Sequence, residues 1–172
     1  MEFAAFFQTL GVEVTVVEMM DEILGGMDRE LSGLLRAEYT KRGIKFLLHT
    51  KVTGVSQTPE GITVTYEQDG TEGTVCGEKL LMSVGRRPVL NGFGLENLNL
   101  ELTERRNVKV DEHLQTSVPG VYVCGDLNGV SLLAHTAVRE AEVAVNHILG
   151  RNDAMSYRAI PGVVYTLSLI HI

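Results

Sequence analysis

The chain has 172 residues, 44% of them hydrophobic and 22% charged, which is ordinary for one medium globular domain or for parts of two. Its formal net charge of −7 and its pI of about 5.2 make nucleic acid and anionic membranes poor partners. No apolar run reaches the roughly 18 residues of a membrane-spanning helix, and the opening residues lack the basic leader of a signal peptide, so we expect a cytoplasmic protein.

The first part of the chain alternates helices and strands. The run MEFAAFFQTLG predicts an amphipathic helix, and VEVTVVE predicts a buried strand that ends at Glu18. The run MDRELSGLLRAEYTKRG predicts a second helix, and IKFLL a second strand. The apolar face of the second helix is expected to carry Leu31, Leu34, Leu35 and Tyr39. This order predicts an α/β fold with a parallel sheet and crossover helices.

The pattern changes after the second strand. The runs KVTGVSQ, GITVTYEQDG and TVCG alternate with period two between turn residues, which predicts a small antiparallel meander. Two continuous apolar runs, KLLMSVG at 79–85 and VYVCGD at 121–126, predict further strands. The run SLLAHTAVREAEVAVNHILG then predicts a helix of about five turns.

Two strand-end carboxylates are candidate binding groups. In dinucleotide folds an acidic residue ends the second strand and accepts hydrogen bonds from the adenosine ribose, although a residue such as Glu18, taken alone, is more often a solvated strand end. Asp126 follows a buried strand, where a carboxylate is costly to desolvate and needs a partner, either protein or ligand.

Two further features, a glycine at a strand end and the start of the last helix, have both a functional and an ordinary interpretation. Gly85 at a strand end allows a ligand close to the backbone, or is a plain turn glycine. The free N–H groups of a helix beginning near Leu133, Ala134 and His135 suit an electron-rich carbonyl, although a lone histidine there more often packs on the core. Cys76 and Cys124 fit no metal spacing and are expected to be core cysteines.

Several of these segments together resemble the flavoprotein disulfide reductases, which are pyridine nucleotide-disulfide oxidoreductases. MEFAAFFQTLGVEVTVVE resembles the segment after the glycines of their NAD-binding domain, and MSVGRRP resembles that domain's last strand. TSVPGVYVCGDLNG and LLAHTAVREAEVAVNHI resemble the second FAD-binding segment, and YRAIPGVVYT the start of the interface domain. The LLAH stretch and Glu18 make the resemblance closest to the dihydrolipoyl dehydrogenases within that family.

The resemblance implies a Rossmann-type NAD-binding sheet at 1–88, without its first strand and glycine loop. It implies the closing strand and helix of an FAD-binding domain at 89–150, and the start of an interface (dimerisation) domain at 151–166. The last residues, LSLIHI at 167–172, match the translation of a sequencing adapter. We expect them to be a non-native tail, the alternative being a short apolar strand.

The resemblance also implies two sets of binding residues. The implied NAD-binding residues are Glu2 near the nicotinamide, Glu18 at the adenosine ribose, and Val52 and Gly85 along the dinucleotide. The implied FAD-binding residues are Asp126 at the ribitol and Leu132, Leu133, Ala134 and His135 along the flavin pyrimidine. Met19 and Met20 stand where NADP-using relatives place basic residues, which favours NAD.

The implied activity is the oxidation of protein-bound dihydrolipoyl groups, with electrons passing through a redox disulfide and FAD to NAD. The implied partner of a homodimeric parent enzyme is a lipoyl-carrier protein of a 2-oxo acid dehydrogenase complex or of the glycine cleavage system. The family's redox cysteine pair and catalytic His–Glu pair fall outside the matching segments, so we assign no catalytic or metal-binding residue and expect the fragment alone to be inactive. The alternatives are another NADH-dependent flavoprotein, such as an NADH oxidase or a different disulfide reductase, and a non-catalytic nucleotide-binding module.

Overall fold

The computed structural model describes residues 1–92 and 94–166, so the predicted non-native tail lies outside the described residues. The chain divides into two compact units. Among the described residues, the first unit comprises Met1–Met82 together with 162–166, and the second comprises Ser83–Pro161. The domain boundaries expected at residues 88 and 150 stay predictions.

The described residues of the first unit form two helices and two small sheets. Its elements are α1 (Glu2–Thr9), β1 (Thr15–Val17), α2 (Arg29–Lys41), β2 (Lys45–Leu47), β3 (Thr50–Thr58), β4 (Gly61–Gln68) and β5 (Thr71–Gly77). Strands β1 and β2 are parallel, with Val16 opposite Phe46. Strands β3, β4 and β5 form an antiparallel sheet in that order. The α/β fold with a parallel sheet and an antiparallel meander is therefore confirmed.

Helix α2 packs on a narrower face than the sequence indicates. Tyr39 is fully buried with Ala5 and Ile44, and the partly buried side chains around them include Leu35, Val14 and Phe46. The predicted face is wrong at Leu31 and Leu34, which are 62% and 63% exposed. The reason is that the helix turns the side of Ser32, Leu35 and Tyr39 inward, and this side has the spacing of three and four residues that lines up along a helix.

The second unit is built around one long helix, α3 (Ala134–Ile148). Two 3₁₀ turns, Leu95–Asn97 and Gly125–Leu127, precede it. The core of the unit consists of Leu114, Val143 and Ala144, with Tyr122, Cys124 and Met155 packed against it. Helix α3 begins three residues later than the predicted run, because Leu133 is extended with φ −120° and ψ 134°.

Two of the predicted strands do not form. Residues 79–85 have no regular structure, and Leu81, Met82 and Val84 are exposed. Residues 121–126 form an isolated antiparallel bridge between Tyr122 and Gln115, with hydrogen bonds from the N–H of Val123 to the carbonyl of Leu114 and from the N–H of Thr116 to the carbonyl of Val121. A strand needs a hydrogen-bonding neighbour along its length. Within the described residues the run 79–85 has no such neighbour, and the run 121–126 has one for only three residues.

Both cysteines were expected in the core, and this expectation is wrong for Cys76. Cys124 is partly buried, whereas Cys76 is exposed on β5. Period-two alternation gives β5 an inner and an outer face, and Cys76 lies on the outer one between Val75 and Gly77. Within residues 1–92 and 94–166, no helix is both long enough and apolar enough to cross a membrane.

Candidate functional site

Glu18 lies directly after β1, half-buried at the end of the parallel pair. Its backbone joins the neighbouring strand, since its N–H donates to the carbonyl of Leu47 and its carbonyl accepts from the N–H of Thr50, each at 2.9 Å. Its side-chain Oε1 accepts from the backbone N–H of Met20 at 2.9 Å. The carboxylate is thus held at the strand end by its own loop, as a group that presents an oxygen to a ligand must be.

The loop after Glu18 is tied back to α2 by charged residues. Glu22 accepts two hydrogen bonds from Arg36, at 2.7 and 2.9 Å. The hydrogen bond from Arg36 is the main reason why the pKa of Glu22 lies below its usual value. Asp21 pairs with Arg29 in the same way. These contacts give the loop a defined shape beside a small cavity of about 150 Å³ that begins at Met20.

The other predicted NAD-binding residues have separate surroundings. Glu2 begins α1, and its Oε1 accepts from the backbone N–H of Tyr165 at 2.7 Å. Val52 is exposed on β3, where the pairing with β4 shifts register before Gly54. One backbone hydrogen bond, from the N–H of Thr50 to the carbonyl of Glu18, connects the start of β3 to the residue after β1, although the two strands belong to different sheets. The roles of these residues stay predictions.

Gly85 belongs to the second unit. Its backbone adopts φ +108°, and no atom lies within 4 Å of the place where a Cβ would be. The conformation requires glycine, and the open space leaves its backbone accessible.

Asp126 lies in the 3₁₀ turn Gly125–Leu127, with its side chain exposed. Its Oδ2 accepts a long hydrogen bond of 3.4 Å from Nη1 of Arg86. Gly125 immediately before it has φ +72°, and a Cβ there would lie 3.3 Å from the Cβ of Ala137 on α3. A glycine is therefore needed for the turn to sit against the helix with Asp126 facing outward.

A cavity of about 410 Å³ opens next to Asp126. Three guanidinium groups border it, from Arg86, Arg87 and Arg105, and among the described residues that line it Asp126 is the single carboxylate. The other lining residues are Pro88, Asn107, Gly129 and Leu132. Arginine forks match phosphate oxygens, and a carboxylate matches hydroxyl donors. The cavity therefore suits a molecule that carries both phosphate and hydroxyl groups.

The start of α3 extends the same surface. Four consecutive residues there are exposed, namely Leu132, Leu133, Ala134 and His135. Among the described residues no side chain caps the helix, which leaves N–H groups of its first turn available to a ligand. The structure thus brings Asp126 and the predicted flavin-side residues into one unit, on either side of a single short loop.

The sequence reasoning missed Glu140, which is completely buried on α3. Its Oε2 accepts from the backbone N–H of Gly125 at 2.5 Å, and its Oε1 accepts from the hydroxyl of Tyr157 at 2.8 Å. One signal was available in the sequence, because Glu140 falls on the same helical face as Thr136, Val143 and Ala144. An acidic residue on the inward face of an amphipathic helix indicates a buried partner.

The profile of the family described as "Pyridine nucleotide-disulphide oxidoreductase" matches residues 1–141. The chain belongs to the pyridine nucleotide-disulphide oxidoreductase family. This confirms the resemblance read from the sequence. FAD and NAD are the cofactors of the pyridine nucleotide-disulphide oxidoreductases.

Curated members of the pyridine nucleotide-disulphide oxidoreductase family match nearly the whole chain. The mitochondrial dihydrolipoyl dehydrogenase of Caenorhabditis elegans is 42% identical over 96% of this chain and 34% of its own length. The dihydrolipoyl dehydrogenase of Thermus scotoductus is 39% identical over 96% of this chain and 36% of its own length. The chain therefore spans about a third of the length of these relatives.

Solved structures of the family superpose well on the chain. LpdA of Mycobacterium tuberculosis matches with a TM-score of 0.86 and 31% identity, over 96% of this chain and 36% of LpdA. The HOCl-induced flavoprotein disulfide reductase RclA of Escherichia coli matches with a TM-score of 0.75 and 22% identity, over 90% of this chain and 34% of RclA. The second match supports the fold alone.

Proposed function

We propose that the chain is part of a dihydrolipoyl dehydrogenase, which oxidises protein-bound dihydrolipoyl groups and reduces NAD through FAD and a redox disulfide. The observation that carries this proposal is the match of relatives named dihydrolipoyl dehydrogenase to 96% of the chain at 39% and 42% identity. In this proposal the partner is a lipoyl-carrier protein, the full-length enzyme is a homodimer, and it works in the cytoplasm.

The second unit supplies groups that fit part of FAD. Asp126 would accept hydrogen bonds from the ribitol hydroxyls, and the arginine-lined cavity beside it suits the phosphates. Leu132, Leu133, Ala134 and His135 would run along the flavin pyrimidine, where the open N–H groups of α3 favour an electron-rich carbonyl. Bound FAD would supply the two-electron carrier between the thiols and the nicotinamide.

The first unit supplies groups that fit NAD. Glu18 would accept hydrogen bonds from the adenosine ribose, with Glu2 and Val52 further along the dinucleotide; Gly85 is the fourth predicted NAD-binding residue. Met19 and Met20, directly after Glu18, are 63% and 52% exposed. A thioether carries no positive charge with which to neutralise a 2′-phosphate, and the Glu18 carboxylate would repel one. This combination favours NAD over NADP.

The test uses the full-length protein that carries this chain. We expect the purified protein to be yellow, with a flavin absorbance that corresponds to about one FAD per chain, and to reduce NAD when dihydrolipoamide is added. NADP in place of NAD is the matched control and should support far less turnover.

The same preparation separates the alternatives. Rapid oxygen consumption with NADH and no dihydrolipoamide activity would favour an NADH oxidase. A protein without flavin absorbance, and without recovery of flavin when FAD is added, would favour a non-catalytic nucleotide-binding module.

A further inference from the structure

Glu140 is a fully buried acid with two neutral hydrogen-bond donors. Removing a carboxylate from water is costly, and neutral donors offset that cost only when they hold both oxygens. Among the described residues no arginine, lysine or histidine forms an ion pair with it. A buried carboxylate with neutral donors fixes the position of the groups that donate to it.

The first donor belongs to the turn that presents Asp126. The N–H of Gly125 donates to Oε2 of Glu140, and a Cβ built on the left-handed backbone of Gly125 would lie 3.3 Å from the Cβ of Ala137, one helical turn before Glu140. The Cys124–Gly125 peptide, directly before Asp126, is therefore fixed to α3 by this hydrogen bond, and the space beside Gly125 is limited by Ala137. A shift of the Glu140 side chain would shift the carboxylate of Asp126 with it.

The second donor comes from the segment after α3. The hydroxyl of Tyr157 donates to Oε1 of Glu140 at 2.8 Å. Burial and, after it, this hydrogen bond raise the pKa of Tyr157, so the hydroxyl keeps the proton that it donates. Glu140 thereby joins three separate stretches of the second unit, which are the Asp126 turn, the middle of α3 and the chain near residue 157.

We propose that Glu140 is a positioning residue for the flavin ribitol, acting through Gly125 on Asp126, and that Tyr157 holds Glu140 in its productive orientation. The inference rests on the proposed function, because it takes Asp126 as the ribitol ligand. Glu140 itself would not contact the cofactor. FAD binding would nevertheless depend on Glu140 and, through Tyr157, on the segment that follows α3.

The experiment uses the full-length protein stripped of FAD and titrated with FAD well below its melting temperature. Glu140→Gln preserves the shape but replaces one acceptor oxygen with an NH₂ group, which cannot accept from either donor. We expect the Kd for FAD to rise at least about tenfold. Tyr157→Phe leaves the Gly125 hydrogen bond in place, and a rise of about threefold is expected.

Glu142→Gln is the matched control, since Glu142 lies on the same helix, is exposed, and pairs only with Arg139 among the described residues. Its Kd for FAD should equal that of the unsubstituted protein. The visible absorption bands and the fluorescence of the bound flavin are recorded for each variant. A change of these bands in Glu140→Gln, absent in Glu142→Gln, would support a displaced flavin rather than a general loss of stability.

A merely structural role for Glu140 gives a different result. If Glu140→Gln only lowers the melting temperature, with the Kd and flavin bands of the control, the inference is wrong. If Glu140→Gln does not fold, Tyr157→Phe decides, and an unchanged Kd there overturns the inference. Asp126→Ala distinguishes a failure of the Glu140 inference from a failure of the FAD assignment. Weak FAD binding in Asp126→Ala with normal binding in Glu140→Gln overturns this inference alone, whereas normal binding in Asp126→Ala overturns the FAD assignment and this inference together.

Discussion

The carboxylate of Glu18 and the backbone N–H of Met20 are joined by a hydrogen bond of 2.9 Å, which closes the loop directly after the first parallel strand. The bond occupies Oε1 and orients the side chain along the strand end. For Oε2 of Glu18, the structure records no hydrogen bond from residues 1–92 or 94–166. The side chain of Glu18 is therefore already oriented before a ligand binds.

The first prediction concerns this carboxylate. Glu18→Ala in the full-length enzyme should raise the KM for NAD at least about tenfold, because each charge-assisted hydrogen bond to a ribose hydroxyl contributes about 1.5–3 kcal/mol. The FAD content should not change. Glu13→Ala is the control, since Glu13 is exposed and forms only a loose pair with Lys45 at 3.8 Å. Steady-state titration with NAD checks both variants, and an unchanged KM would remove Glu18 from the NAD site.

The second prediction concerns Asp126. Asp126→Ala should yield enzyme with less than one FAD per chain and an unaltered KM for NAD in the fraction that retains flavin. The reason is that the lost acceptor borders the arginine-lined cavity that is proposed to hold part of FAD. The ratio of flavin to protein absorbance measures the occupancy. Full occupancy, with FAD no easier to remove, would show that Asp126 is an ordinary exposed turn residue.

The third prediction compares two glycines that both have a left-handed backbone. Gly125→Ala and Gly120→Ala share the cost of a left-handed alanine, which is about 1–2 kcal/mol. Only at Gly125 does the new Cβ meet a neighbour, Ala137 at 3.3 Å, while nothing lies within 4 Å at Gly120. Urea unfolding should therefore show a larger loss of stability for Gly125→Ala. Equal losses would mean that α3 moves aside at no cost.

The fourth prediction concerns the reactivity of the two thiols. Burial, and after it the negative charge of Glu140, raise the pKa of Cys124. A raised pKa means less thiolate at a given pH, and the thiolate is the reactive form. In the native protein at pH 8, iodoacetamide should label the exposed Cys76 faster than Cys124. The labelling rate of Cys124 should continue to rise at higher pH. Mass spectrometry of timed samples checks this, and faster labelling of Cys124 would contradict it.

The fifth prediction concerns the chain of 172 residues by itself. It should form no NADH from NAD and dihydrolipoamide, since its two cysteines, Cys76 and Cys124, lie in different units and are not a disulfide pair. Neither thiol can form the redox disulfide through which electrons from dihydrolipoamide would enter. The assay is run with and without added FAD, with a full-length dihydrolipoyl dehydrogenase as the positive control. Turnover above the blank would show that another route exists.

The alternation of helix, strand, helix and strand, and the period-two meander after it, were determined by the sequence alone. Both patterns depend on neighbours within a few residues, and the structure confirms them at α1, β1, α2 and β2 and in the sheet β3–β4–β5. The family could also be recognised from the order of its motifs, since matching short segments in a fixed order is a property of the sequence itself.

Only the tertiary structure decided which apolar residues are buried. Leu31 and Leu34 have the helical spacing of core residues, but α2 turns Ser32 and Tyr39 inward. The runs at 79–85 and 121–126 have the composition of strands, yet a strand forms only beside a partner, and the partner is a long-range property of the fold.

The contacts around Asp126 also depend on the fold. The sequence showed that Asp126 ends an apolar run. It did not show that the turn of Asp126 is supported by Gly125, Glu140 and Tyr157, which come from three separate stretches of the chain. Hydrogen bonds between such distant residues leave no local pattern in the sequence. They depend on how the backbone of the second unit folds back on itself, and local propensity therefore could not predict them.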